Sequence, residues 1–145
     1  MQSKEEKAKE LFKGGCNCAQ AVLCAFSDEL NMDPECSMKI ASSFGAGMGR
    51  MREVCGAVSA MFMVAGVKYG YSDVKDKAAK DKHYKLIQDL AEKFRSQNGS
   101  IICRELLERK SGADIPISAE RTEAYYKKRP CVELVGIAAK LLEDI

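Results

Sequence analysis

Seven cysteines stand in a chain of 145 residues that has one histidine and no tryptophan. Thiolates attack disulfides and ligate soft metals, so these residues carry the chemistry this composition can offer. Seven in 145 is about 5%, below the roughly 8–10% of a disulfide scaffold, and the odd number leaves at least one thiol unpaired. Four of the seven fall where helices should begin. Asn17 is a good N-cap, which puts Cys18 in a first turn. Ser100 is another and puts Cys103 at the third position of its helix. Pro130 suits a first helical position, with Cys131 directly after it. Cys55 lies early in an apolar segment that follows Gly45-Ala46-Gly47-Met48-Gly49.

The spacing matters because a helix start presents unpaired N–H groups and the positive end of the dipole. A thiolate there is stabilised, its pKa drawn from about 8.5 toward ~3.5–7.5. Arg50 and Arg52 precede Cys55 and would favour its thiolate further, so Cys55 is the first choice for an attacking sulfur. If Cys18, Cys55, Cys103 and Cys131 converge, they offer thiol–disulfide pairs. The same four could instead ligate a metal or an iron–sulfur cluster. The other three have weaker claims. Cys16 forms a short Cys-x-Cys with Cys18, Cys24 sits mid-helix on an apolar stripe as core, and Cys36 lies near the surface after Asp33-Pro34. No Cys-x-x-Cys occurs, and the wide spacing fits no zinc-finger or ferredoxin pattern.

The elements that must position these thiols read as helices near 3–13, 17–31, 34–44, 51–70, 73–97, 100–110, 118–128 and 130–144. Apolar residues recur at i, i+3 and i+4, as in Val74, Ala78, Ile87, Leu90, Ala91 and Phe94, with Ser72 or Asp73 as cap. Strict alternation is missing, so strands have little support. Val54–Val67 is uncharged throughout, which predicts a buried helix packed on several sides and is too short to span a bilayer. The fold class is therefore all-α, a compact multi-helix bundle around a central apolar helix at about residues 51–70. One domain, 1–145, is expected at this length.

Three sequence blocks resemble a known family. Asn17-Cys18-Ala19-Gln20-Ala21-Val22, Phe44-Gly45-Ala46-Gly47-Met48-Gly49-Arg50 and Cys55-Gly56-Ala57-Val58-Ser59-Ala60 are similar to the redox-active proteins named for their CGAxxG and C_GCAxxG_C_C pattern. The resemblance spans about residues 11–140. It marks Cys18, Cys55, Cys103 and Cys131 as the four characteristic cysteines and implies a redox role. Ala60 replaces the motif's final glycine, a small steric change.

Charge narrows the partners. Lys and Arg number 23 against 21 Asp and Glu, a net charge of +2, which is too balanced for a dedicated nucleic-acid or anionic-membrane binder. The charged N-terminus holds no apolar stretch of a secretory signal, so a reducing cytosol is expected, where thiols serve redox or metal chemistry. The expected partners are a redox protein or a small-molecule thiol or disulfide, and a homodimer would cover apolar surface. The Gly45–Gly49 segment lacks the preceding strand of a nucleotide loop and reads as a close-approach connection to Cys55. His83, among lysines, reads as a surface residue. Met48, Met51, Met61 and Met63 read as core filler.

Overall fold

The computed structural model describes residues 2–108 and 114–145, and the described residues are helical apart from turns and one isolated β-bridge. In chain order the helices are α1 (Lys4–Lys13), α2 (Cys18–Phe26), α3 (Pro34–Ser42), the single turn α4 (Gly45–Met48), α5 (Gly56–Tyr69), α6 (Lys77–Asn98), the single turn α7 (Cys103–Leu106), α8 (Glu123–Lys128) and α9 (Cys131–Glu143). The expected end of a helix at 109–110 lies outside the described residues. No helix among the described residues is long and apolar enough to cross a membrane.

Local chemistry fixes the helix starts. Ser3 and Asn17 each close a capping box: Asn17 Oδ1 accepts from the Gln20 amide at 2.8 Å, and Gln20 Oε1 accepts from the Asn17 amide at 3.0 Å. Asp33 caps α3 ahead of Pro34. The long helix begins later than its apolar spacing suggests. Asp73 turns the chain by accepting from the Lys75 amide, and Asp76 then caps α6 by accepting from Ala79. Val74 is left outside the helix and 76% exposed.

The expected central helix, 51–70, is shortened at its start. Six residues from 46 to 52 have positive φ: Ala46, Gly47, Met48, Gly49, Arg50 and Arg52. Such backbone cannot belong to a right-handed α-helix, so the α4 turn is left-handed from Ala46 onward, a conformation non-glycine residues rarely adopt. Residues 53–55 are then extended, and Val54 bridges Ile102 antiparallel, with Cys55 N donating to Ile101 O at 2.8 Å and Cys103 N to Glu53 O at 2.6 Å. Helix α5 therefore starts at Gly56, with Cys55 as its N-cap.

The core is built where α2 and α5 pack on each other and on α9, with α1 against α9 and α2. Ala57, Val58, Ala60, Met61, Val64 and Ala65 of α5 are fully buried, as are Phe12, Val22, Phe26, Phe94, Val135 and Leu142 from the surrounding helices. Met61 fills core as expected, whereas Met51 is 51% exposed because the segment that carries it is turned outward. Gly66 is a weak point of α5: a methyl group there meets nothing within 4 Å, and its backbone is helical. Gly66→Ala should raise stability by about 0.5–1 kcal/mol, through a less flexible unfolded chain and better helix propensity. A denaturant midpoint at or below that of the parent would contradict this.

Candidate functional site: a four-cysteine cavity

Each of the four cysteines sits at the start of a helix. Cys18, Cys103 and Cys131 are the first residues of α2, α7 and α9, and Cys55 is the N-cap of α5. Cys103 is the first residue of α7 rather than the third because Ser100 does not cap that turn. Its hydroxyl instead accepts from the Ile102 amide and donates to Glu105. Likewise Pro130 occupies the cap position of α9. All four cysteines line one cavity of about 480 Å³, and all seven in the chain are free thiols.

Two glycines make this convergence possible. A Cβ on Gly56 would stand 2.4 Å from Cys18 Sγ, so only a bare Cα lets that sulfur rest against the start of α5. A Cβ on Gly47 would stand 2.6 Å from Cys103 Cβ and 2.7 Å from Arg52 Cα. The left-handed loop thus touches two thiols through adjacent residues: the Ala46 amide favours the Cys18 thiolate, and Gly47 packs on Cys103. The β-bridge adds Cys55, whose amide is tied to Ile101, two residues before Cys103.

The electrostatics reverse the expectation for Cys55. Burial pushes its thiol well up, the nearby Cys18 charge adds to this, and the amides of Val58 and Ala57 oppose it without closing a capping hydrogen bond. Burial also raises Cys18, against the Ala46 amide, and pushes Cys131 up to about 12 with Cys18 and Cys103 adding. Helix dipoles at these positions are outweighed by loss of water.

Nor do the arginines serve Cys55. Arg52 is only 1% exposed, and its Nη1 donates to Cys103 Sγ at 3.7 Å while its Nη2 donates to Asp114 Oδ2 at 3.1 Å. Burial opposes the Arg52 charge, and the bonds to Cys103 and Asp114 outweigh it, leaving its pKa raised. Arg50 pairs with the same Asp114 oxygen at 3.1 Å and donates to Ile115 O. Arg121, Tyr125 and Arg129 complete the wall, with the Arg129 guanidinium 4.6 Å above the Tyr125 ring. The sequence reading missed these three and Asp114; an arginine two places before Cys131 was the available signal.

The remaining cysteines stand apart from this cavity. Cys16 Sγ contacts Met38 Sδ at 3.9 Å, Cys24 is half-buried, short of the full burial expected, and Cys36 is exposed. His83 is half-buried, with a buried Nδ1 that has no partner, because its ring turns toward Tyr71. Among the described residues no group of three or more His, Cys, Asp or Glu side chains is arranged to hold a metal ion.

Residues 16–145 match the family model described as "Putative redox-active protein (C_GCAxxG_C_C)". The chain belongs to this family. No curated protein and no solved structure matches it. In this C_GCAxxG_C_C protein Gly56 has a physical reason, the seat it gives Cys18, and Ala60 is fully buried in α5.

A pH prediction follows from Cys131. The folded state holds its proton more tightly than the unfolded chain, whose thiol titrates near 9. The resulting stabilisation is whole below pH 9 and is lost as pH rises toward the folded value of about 12. Tm should fall as pH rises above 9, and the slope should flatten in Cys131→Ala. Identical slopes in the two proteins would contradict this origin.

Proposed function

We propose that the protein is a thiol–disulfide redox protein whose cavity reduces a disulfide, with Cys103 attacking and Cys18 resolving. The observation that carries this reading is the Arg52 guanidinium on Cys103 Sγ inside a cavity lined by all four family cysteines. Among the described residues no other of the four sulfurs has a guanidinium bonded to it. Attack on a disulfide needs a sulfur held in place at the cavity wall, and Arg52 fixes this one.

In the first step the Cys103 sulfur, its proton released to solvent, attacks one sulfur of the substrate disulfide. A Cys103–substrate bond forms, the substrate S–S bond breaks, and one substrate half leaves as a thiolate. Cys18 then attacks Cys103 Sγ, and its proton passes to the second departing thiolate. Two electrons have moved from Cys18 and Cys103 to the substrate, which ends as two thiols. A dithiol reductant restores the protein by the reverse exchange. Cys18 is assigned the second role because adjacent residues of one loop, Ala46 and Gly47, touch it and Cys103.

Anaerobically reduced protein treated with one equivalent of bis(hydroxyethyl) disulfide, then mapped by non-reducing peptide mass spectrometry, tests this. A Cys18–Cys103 cystine with release of two thiols is expected. A Cys103–Cys131 or Cys18–Cys55 linkage would overturn the pairing. Four thiols still free, or a stoichiometric metal or cluster in protein purified without oxygen, would overturn the redox reading itself.

A further inference from the structure

We infer that the cavity selects its disulfide by negative charge, so that the substrate is a small disulfide bearing carboxylate groups; this rests on the redox reading above. Four arginines line the cavity, Arg50, Arg52, Arg121 and Arg129, and among the described residues no aspartate or glutamate does. Asp114 answers Arg50 and Arg52 together, one carboxylate for two guanidinium groups. Arg121 directs its donors to the Phe12 and Cys16 carbonyl oxygens, which carry no formal charge, and lies 4.2 Å over the Phe12 ring. Arg129 stacks on Tyr125, and among the described residues no acceptor meets its guanidinium.

An unsatisfied donor points the same way. Arg52 Nε is buried without any hydrogen-bond partner, a condition that folded proteins rarely leave. An acceptor brought in by a ligand would satisfy it. The starts of α2, α5 and α9 also meet at this cavity, and each adds the positive end of a helix dipole. The volume, about 480 Å³, is that of a small-molecule site. A carboxylate held by Arg129 and Arg52 Nε would anchor the substrate on the wall that carries Cys103, whose sulfur Arg52 already contacts.

The test compares three small disulfides of similar length and different charge as oxidants of the reduced protein: dithiodipropionate, bis(hydroxyethyl) disulfide and cystamine. Each second-order rate is divided by that compound's rate with free β-mercaptoethanol, which removes intrinsic reactivity. Dithiodipropionate should lead the neutral compound by about ten- to hundredfold, the range of a hydrogen bond to a charged group, and cystamine should be slowest. The preference should shrink with added salt. In Arg129→Gln the dianion-to-neutral ratio should fall at least about fivefold, and Arg129→Lys should recover part of it. Equal rates, or an inverted order, would overturn the charge selection and leave the redox reading standing. Failure of all three to react would overturn the redox reading. A full dianion preference in Arg129→Gln would remove Arg129 from the anchor.

Discussion

Cys103→Ser should lower the rate at which reduced protein is oxidised by a small disulfide by on the order of a thousandfold or more, the scale on which enzymes lose activity with their nucleophile. A serine hydroxyl stays protonated at neutral pH and does not displace thiolates from disulfides. The other three cavity thiols are poor substitutes, because burial raises Cys18 and Cys55 and holds Cys131 at about 12. Arg52 would be left facing an oxygen, so the folded architecture should persist while the attack is lost. Cys36→Ser is the control: Cys36 is exposed, outside the cavity wall, and its loss should leave the rate unchanged. Stopped-flow oxidation of the two variants decides the matter. A Cys103→Ser rate within a few-fold of the parent would place the attack on another sulfur.

The largest expected loss of stability belongs to Gly47→Ala. The new methyl group would have to share space with Cys103 Cβ at 2.6 Å and with the Arg52 backbone at 2.7 and 2.9 Å, and backbone gives way less readily than a side-chain tip. The residue also has φ 70°, where a Cβ is strained in its own right. Overpacking typically costs about 1–3 kcal/mol and the left-handed conformation about 1–2, so a loss of about 2–5 kcal/mol is expected. For a chain of this size that lowers Tm by roughly 5–15 °C. Thermal melts of Gly47→Ala beside Gly66→Ala make the contrast sharp, since the same methyl group at Gly66 meets open space and should stabilise. An unchanged Tm in Gly47→Ala would mean that the Gly45–Arg52 segment is not held in its observed conformation.

That strained segment carries much of the site's design. Ala46, Met48, Arg50 and Arg52 all hold positive φ, a conformation that costs free energy at each non-glycine residue. In return the Ala46 amide is brought to Cys18, and Arg52 is turned inward to Cys103. A regular helix through 46–52 would keep its amides for its own hydrogen bonds and project Arg52 radially from its axis, so these two approaches would not be made.

The sequence by itself determined the elements whose causes are local. Capping residues and 3.6-residue apolar spacing fixed the all-helical class, and Asn17 with Gln20 placed Cys18 at a helix start because both partners of the capping box lie within four residues. The same reasoning put Cys103 and Cys131 within two residues of a helix start, and put Cys55 early in a helix that in fact begins five residues later than expected. Only the tertiary structure decided which arginine serves which thiol. The Val54–Ile102 bridge joins segments 48 positions apart and shows no alternating pattern, because each arm is only a few residues long. It carries Arg52 away from Cys55, its near neighbour in sequence, and against Cys103. Burial then decided the protonation of Cys55, since desolvation depends on what α2, α5 and α9 enclose between them. Spacing along the chain reports which residues start a helix; it does not report how much water reaches them once the helices have packed.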